Sequence, residues 1–122
     1  MPWSVSAPAA FLVPPLLEDD AFVARTHGWL RGELDRLWPM LEHLKFDVSP
    51  TRANFYLLRD RRQPQASDAL LRFLAEAGIL ARHTYNFPGL DGAWLRLAIR
   101  SAADNDCLLG ALGAWRQQGA RA

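Results

Sequence analysis

The chain has 122 residues, half of them hydrophobic, and a formal net charge of +1. That length suits one compact domain, and the near-neutral balance excludes the strong basic field that recruits nucleic acid. No apolar run approaches the ~18 residues of a membrane span, and Met1-Pro2-Trp3 lacks the charged and apolar regions of a secretory leader. The single cysteine, Cys107, has no internal partner, so a cytoplasmic chain without disulfides is expected. No Cys/His spacing marks a metal site, and none is expected. Of the 14 basic residues only Lys45 is a lysine. Arginine stays charged and offers a planar fork to carboxylate or phosphate, whereas lysine is the residue that forms Schiff bases. The composition is therefore rich in anion clamps and nearly empty of amine nucleophiles.

Residues 1–15, MPWSVSAPAAFLVPP, are apolar and punctuated by proline, and read as a connector or as a fragment of an element whose partner is missing. The acidic Glu18-Asp19-Asp20 opens a long amphipathic helix, with negative charge where the helix dipole favours it. Its apolar stripe is Phe22, Thr26, Trp29, Leu30, Leu34, Leu37, Leu41 and Leu44, at steps of three or four. Pro39 lies inside that pattern and removes a backbone donor, which predicts a kink or break near Trp38. Residues 53–59, ANFYLLR, read as a strand. A second helix is predicted from Ser67 to Ala77, with Gly78 at its C-terminal cap. Residues 79–85, ILARHTY, form the next predicted strand, followed by the loop NFPGLDG, where Pro88-Gly89 suits the centre of a type II turn. The third predicted strand is WLRLAIR, 94–100. Ser101 and Asp104 then make an S-x-x-D capping box ahead of a last helix carrying Leu108, Leu109, Leu112 and Trp115. The sum is an α+β fold: a small three-stranded, mostly antiparallel sheet covered by helices on one face. Residues 1–17 are assigned to the connector and 18–122 to the domain.

Strand alternation places Arg96 and Arg100 opposite the branched aliphatics of WLRLAIR, and puts Leu80, Arg82 and Thr84 on one face of ILARHTY. Positions 82 and 96 have Gly89 as their midpoint. A simple hairpin through that turn makes Arg82 and Arg96 cross-strand neighbours on the uncovered face. Like charges directly opposite destabilise a sheet, and an anion between the two guanidiniums relieves the repulsion. The competing reading is that each arginine is solvated or paired with one of the 13 acids. Arg100, beside a helix start, fits that second reading better than Arg96. Asn54 at a strand start, and Tyr85 and Asn86 in the loop at the mouth of the proposed site, are the remaining substrate-binding candidates. His27 and His43 read as surface or packing residues. His83 points away from Arg82, and Lys45 reads as a solvated helix-terminal lysine.

The segments SPTRANFYLLR, AGILAR and YNFPGLDGAWLRLAIRSAADNDCLLGALGAWR resemble the C-terminal small domain of fold-type I pyridoxal-phosphate enzymes. Within these, the chain is similar to the histidinol-phosphate aminotransferase group, and NFPGLDG followed by RLAIRSAADN looks most like the threonine-phosphate decarboxylases of cobalamin biosynthesis. The resemblance covers nearly the whole chain, with its specific part in the last forty or so residues. It implies that Arg96 binds the substrate α-carboxylate and Arg82 a second substrate anion, the phosphate. The implied reaction is decarboxylation of L-threonine O-3-phosphate. The cofactor acts as electron sink, and the protein orients the carboxylate.

The resemblance also implies what this chain does not carry. The family's Schiff-base lysine, its aspartate partner for the pyridine nitrogen and its phosphate-binding loop belong to a large domain, and Lys45 does not match the family lysine. The expectation is thus a detached small domain with no catalytic residue and no cofactor of its own, inactive without a large-domain partner, binding a small phosphorylated amino acid. Two alternatives stay open. One is the small domain of a histidinol-phosphate-type aminotransferase. The other is a non-catalytic, stand-alone module that binds an anion or a partner. Residues 1–17 would expose apolar surface in an isolated domain, which either a large domain or a second copy of the chain would cover.

Overall fold

The computed structural model describes residues 4–121, without the side chains of 120 and 121. Residues 1–3 of the expected connector lie outside the described residues. Residues 7–17 of it form a helix, α1 (Ala7–Leu17), with Pro8 in the first turn and Ser6 as N-cap, its Oγ accepting from the Ala9 amide. None of its side chains is buried, and Phe11, Leu16 and Leu17 are among the most exposed large apolar residues of the chain.

Helix α2 (Asp20–His43) starts where the acidic run predicts, with the Phe22 amide donating to Asp19 Oδ1 at 2.9 Å. Of the kink or break expected near Trp38, the break does not occur: the helix continues through Pro39 to His43. Pro39 and Asp35, whose carbonyl loses its donor, both lie on the exposed side. Water can therefore satisfy the orphaned acceptor, and no buried polar group is left behind.

Four strands follow, where the sequence predicted three: β1 (Phe46–Val48), β2 (Phe55–Asp60), β3 (Arg82–His83) and β4 (Leu95–Ala98). The extra strand, β1, has three residues, too few to display an alternation of its own. Its pairing with β2, Phe46 opposite Asp60 and Val48 opposite Leu58, makes it a strand. All pairings are antiparallel, in the order β1-β2-β4-β3. Helix α3 (Ser67–Glu76) lies between β2 and β3 and ends at Gly78, whose φ of +78° is the left-handed cap position that glycine occupies without strain. Helix α4 (Ala102–Arg121) closes the chain, with the Asp104 amide donating to Ser101 Oγ as the capping box requires.

One sheet face is covered. Phe46, Tyr56, Leu58, Leu95 and Leu97 project from it into a core shared with Leu37 and Leu41 of α2, Leu70 and Leu74 of α3, and Leu108 and Leu112 of α4. A fully buried leucine of this kind contributes ~1.5–3 kcal/mol. Two polar devices lock the helices to the sheet. Buried Asn105 accepts from the Arg100 amide and donates to Glu33 on α2 and to the Arg100 carbonyl. Buried Asp60 receives Arg116 and the Trp115 indole N–H, both from α4. Burial pushes the Asp60 carboxyl up, but these donors and the Arg62 amide outweigh it and hold the group below its ordinary range.

Candidate functional site

The opposite sheet face is open, and its side chains are set by the same register. Arg82 pairs with Arg96, and Arg96 in turn with Leu57, so three side chains form one row across β3, β4 and β2. Arg59 follows two residues after Leu57 and pairs with Asp47, and Trp94 precedes Arg96 by two on the same side. Phe55, opposite Ala98, begins the other end of this face.

The hairpin responsible for the register is built as its dipeptide predicts. The Phe87 carbonyl accepts from the Leu90 amide at 3.1 Å across Pro88-Gly89, and Gly89 has φ +87°. The rest of the loop is clamped to the start of α3. Ser67 Oγ donates to the Gly92 carbonyl at 2.7 Å, and the Tyr85 hydroxyl donates to the Asp68 carboxylate, 2.7 Å from each oxygen. That carboxylate holds the Tyr85 phenol above its ordinary range. At Gly92, φ is +83° and a Cβ would come 2.2 Å from the Tyr85 ring, so only glycine lets the ring lie there. Buried Thr84 closes the inner side, donating to the Trp94 carbonyl at 2.7 Å.

The arginines of this region divide sharply. Arg100 is held by Asp104, with Nε 3.0 Å from Oδ2, and Arg59 by Asp47 at 2.9 Å. The side chains of Arg82 and Arg96 have no ion pair and no hydrogen bond among the described residues. What each does have is a ring: the Arg96 guanidinium lies 4.6 Å from the centre of Phe55, and that of Arg82 lies 5.6 Å from Phe87. These rings were not among the residues singled out from the sequence. Phe55 stands beside Asn54 and Phe87 beside Asn86, but stacking between elements leaves no sequence pattern.

The other candidates are not gathered at one point. Tyr85 and Asn86 follow β3 and lie beyond the Trp94 end of the Arg82–Arg96 row. Asn54 lies beyond the Ala98 end, three residues from Leu57, or about 10 Å along the strand. Its carbonyl accepts from the Ile99 amide at 2.7 Å, and its side chain, like that of Asn86, has no partner among the described residues. Lys45 stands beside β1, at the sheet edge opposite β3, in a left-handed conformation (φ +63°), with its carbonyl accepting from Arg116. Two concavities elsewhere on the molecule are lined by neither arginine. One, of about 810 Å³, lies between α2 and the β1–β2 loop and includes His27, Arg31, Trp38 and Arg52; the other, of about 580 Å³, lies between α2 and α4. Arg82 is exposed and Arg96 half-buried, on an open sheet surface rather than in an enclosed cavity. Among the described residues no three acidic, histidine or cysteine side chains cluster to hold a metal ion, and no helix is long and apolar enough to cross a membrane.

No protein-family model matches the chain. It is 45% identical to the threonine-phosphate decarboxylase of Salmonella typhimurium over 113 residues, which are 92% of this chain and 30% of that protein. Among solved structures, the histidinol-phosphate aminotransferase of Clostridium acetobutylicum superposes with a TM-score of 0.75 at 28% identity, over 84% of this chain and 30% of that one. The L-threonine-O-3-phosphate decarboxylase of Porphyromonas gingivalis superposes with a TM-score of 0.63 at 26% identity, over 74% of this chain and 27% of that one. The chain thus spans about a third of the length of the relatives it matches. Their names agree with the resemblance carried by its arginine strands.

Proposed function

We propose that this chain, a homologue of threonine-phosphate decarboxylases and histidinol-phosphate aminotransferases over about a third of their length, is the substrate-anion-binding small domain of an L-threonine-O-3-phosphate decarboxylase of cobalamin biosynthesis. The observation that carries the reading is the direct opposition of Arg82 and Arg96 on the open sheet face, without an acidic partner among the described residues. Residues directly opposite on antiparallel strands have Cα atoms ~4.5–5.5 Å apart. Two guanidiniums so placed repel one another until an anion neutralises them. A substrate with a carboxylate and a phosphate supplies one anion to each fork. Arg96 binds the carboxylate and Arg82 the phosphate, and Asn54, Tyr85 and Asn86 extend the contact surface to either side. Two fixed forks set the orientation of the molecule between them, which one flexible ammonium could not do.

Pyridoxal phosphate belongs to the full-length relatives in this reading, and the residues here do not fit it. The only lysine stands at the opposite sheet edge from Arg82, with its backbone engaged by Arg116. The chain's own part is therefore binding and orientation, and the covalent chemistry falls to the large domain.

A chimera tests this. Replacing the matching third of the Salmonella typhimurium enzyme by this chain should give a protein that releases carbon dioxide from L-threonine O-3-phosphate and does not transaminate histidinol phosphate. A folded, cofactor-loaded chimera that only transaminates would move the assignment to the aminotransferases, whose solved relative superposes with a TM-score of 0.75 against 0.63 for the decarboxylase. One that does neither would favour a stand-alone binding module.

A further inference from the structure

We infer that Phe55 and Phe87 are positioning residues, which fix the two guanidiniums by their faces and leave every N–H free for ligand. The inference rests on the reading that Arg82 and Arg96 hold substrate anions. It adds how two like charges are kept in place before the substrate arrives.

A guanidinium can be immobilised in two ways. A carboxylate takes it by the edge and occupies the N–H donors that a substrate would need. An aromatic ring takes it by the flat face, within about 6 Å of the ring centre, and leaves the fork open. The open sheet face shows both arrangements side by side. Arg59 has the Trp94 ring at 4.4 Å and also donates to Asp47 at 2.9 Å, so its edge is engaged. Arg96 has Phe55 at 4.6 Å and Arg82 has Phe87 at 5.6 Å, with no carboxylate on either among the described residues.

The surroundings of the two phenylalanines fit this role better than a packing role. Phe55 is 42% exposed, and its partner across the sheet is Ala98, a single methyl that leaves the ring face uncovered. The side chain that covers it is Arg96. Phe87 is half-buried and is placed by backbone bonds, its amide donating to the Thr84 carbonyl and its carbonyl closing the Pro88-Gly89 turn. The turn that sets the strand register therefore also sets the ring beneath Arg82. The shorter stacking distance makes Phe55 the stronger of the two positioners.

The test uses the chain itself, with the arginine Nε–Hε signals followed by NMR and O-phospho-L-threonine as probe. In the wild-type chain the Arg96 Hε signal should be displaced by the ring current of Phe55. F55L should remove the displacement and weaken phosphothreonine binding ~3-fold, F55Y should retain both, and F87L should have the smaller effect. An Arg96 signal and an affinity unchanged in F55L would overturn the inference. Wild-type Arg82 and Arg96 signals that ignore phosphothreonine, with the ring-current displacement intact, would instead overturn the substrate reading on which it rests.

Discussion

Arg116 under the sheet and the Arg82–Arg96 pair above it meet the same requirement, a compensated charge, in opposite ways. The Arg116 side chain is largely buried, and each of its nitrogens has an acceptor: Asp60 for two of them and the Leu44 and Lys45 carbonyls besides. Its ring neighbour, Phe46, lies 4.3 Å away and belongs to the core. Arg82 and Arg96 keep the ring and lack the acceptors. A buried charge must be compensated within the fold, whereas an exposed one can wait for a ligand. The difference separates arginines that hold the protein together from arginines available for binding, and neither composition nor net charge reveals it.

The comparison is broken most severely at its buried end. Asp60→Ala would leave Arg116 charged and unpaired under the sheet, with an expected loss of ~3–5 kcal/mol in urea unfolding. The same pair should contribute to the acid limb of stability, beside Glu33, Glu42, Asp47 and Asp104, whose carboxyls are also held below their ordinary range. The folded-state Asp60 carboxyl lies below its unfolded value, so its contribution is fully present above the ordinary carboxylate range. It is lost as pH falls below ~4 and through the depressed value. Asp60→Asn should flatten that limb, and an unaltered acid transition would count against the pair as a stabilising element.

At the open end the sign reverses. Removing either arginine of the opposed pair relieves repulsion, so Arg82→Ala should unfold at the wild-type temperature or slightly above it in a buffer without phosphate or other polyvalent anions. A marked drop would mean that the guanidinium is a structural group after all. The smallest effect is expected at Arg100, whose exposed pair with Asp104 spans one helical turn boundary. Arg100→Ala should alter neither the melting temperature nor the response to anions beyond experimental error.

Much of this arrangement was readable before any coordinates, because local chemistry specifies it. Asp19, Ser101 and Gly78 mark helix ends through side-chain caps and a left-handed φ. Pro88-Gly89 marks the turn, and the equal distances from Gly89 to 82 and 96 give the register that the strands adopt. Legibility fails where no local signal exists. Helix α1 is apolar on all sides, so no 3.6-residue period separates a connector from an element whose partner is missing. Strand β1 exists only through its partner β2. Pro39 predicts a kink or a break, and its solvent-facing position lets the helix run on unbroken. The rings of Phe55 and Phe87 reach their arginines through tertiary placement. Sequence thus points to the charged pair but not to what holds it, because stacking partners are chosen by the fold.

The account stands on Arg82 and Arg96 gripping one molecule together. Calorimetric titration of O-phospho-L-threonine into the wild-type chain, Arg82→Ala, Arg96→Ala and the double variant addresses that directly. Each single variant should bind ~10-fold or more weakly, and unphosphorylated L-threonine should be indifferent to Arg82→Ala while still sensing Arg96→Ala. Wild-type affinity in both single variants would contradict the account.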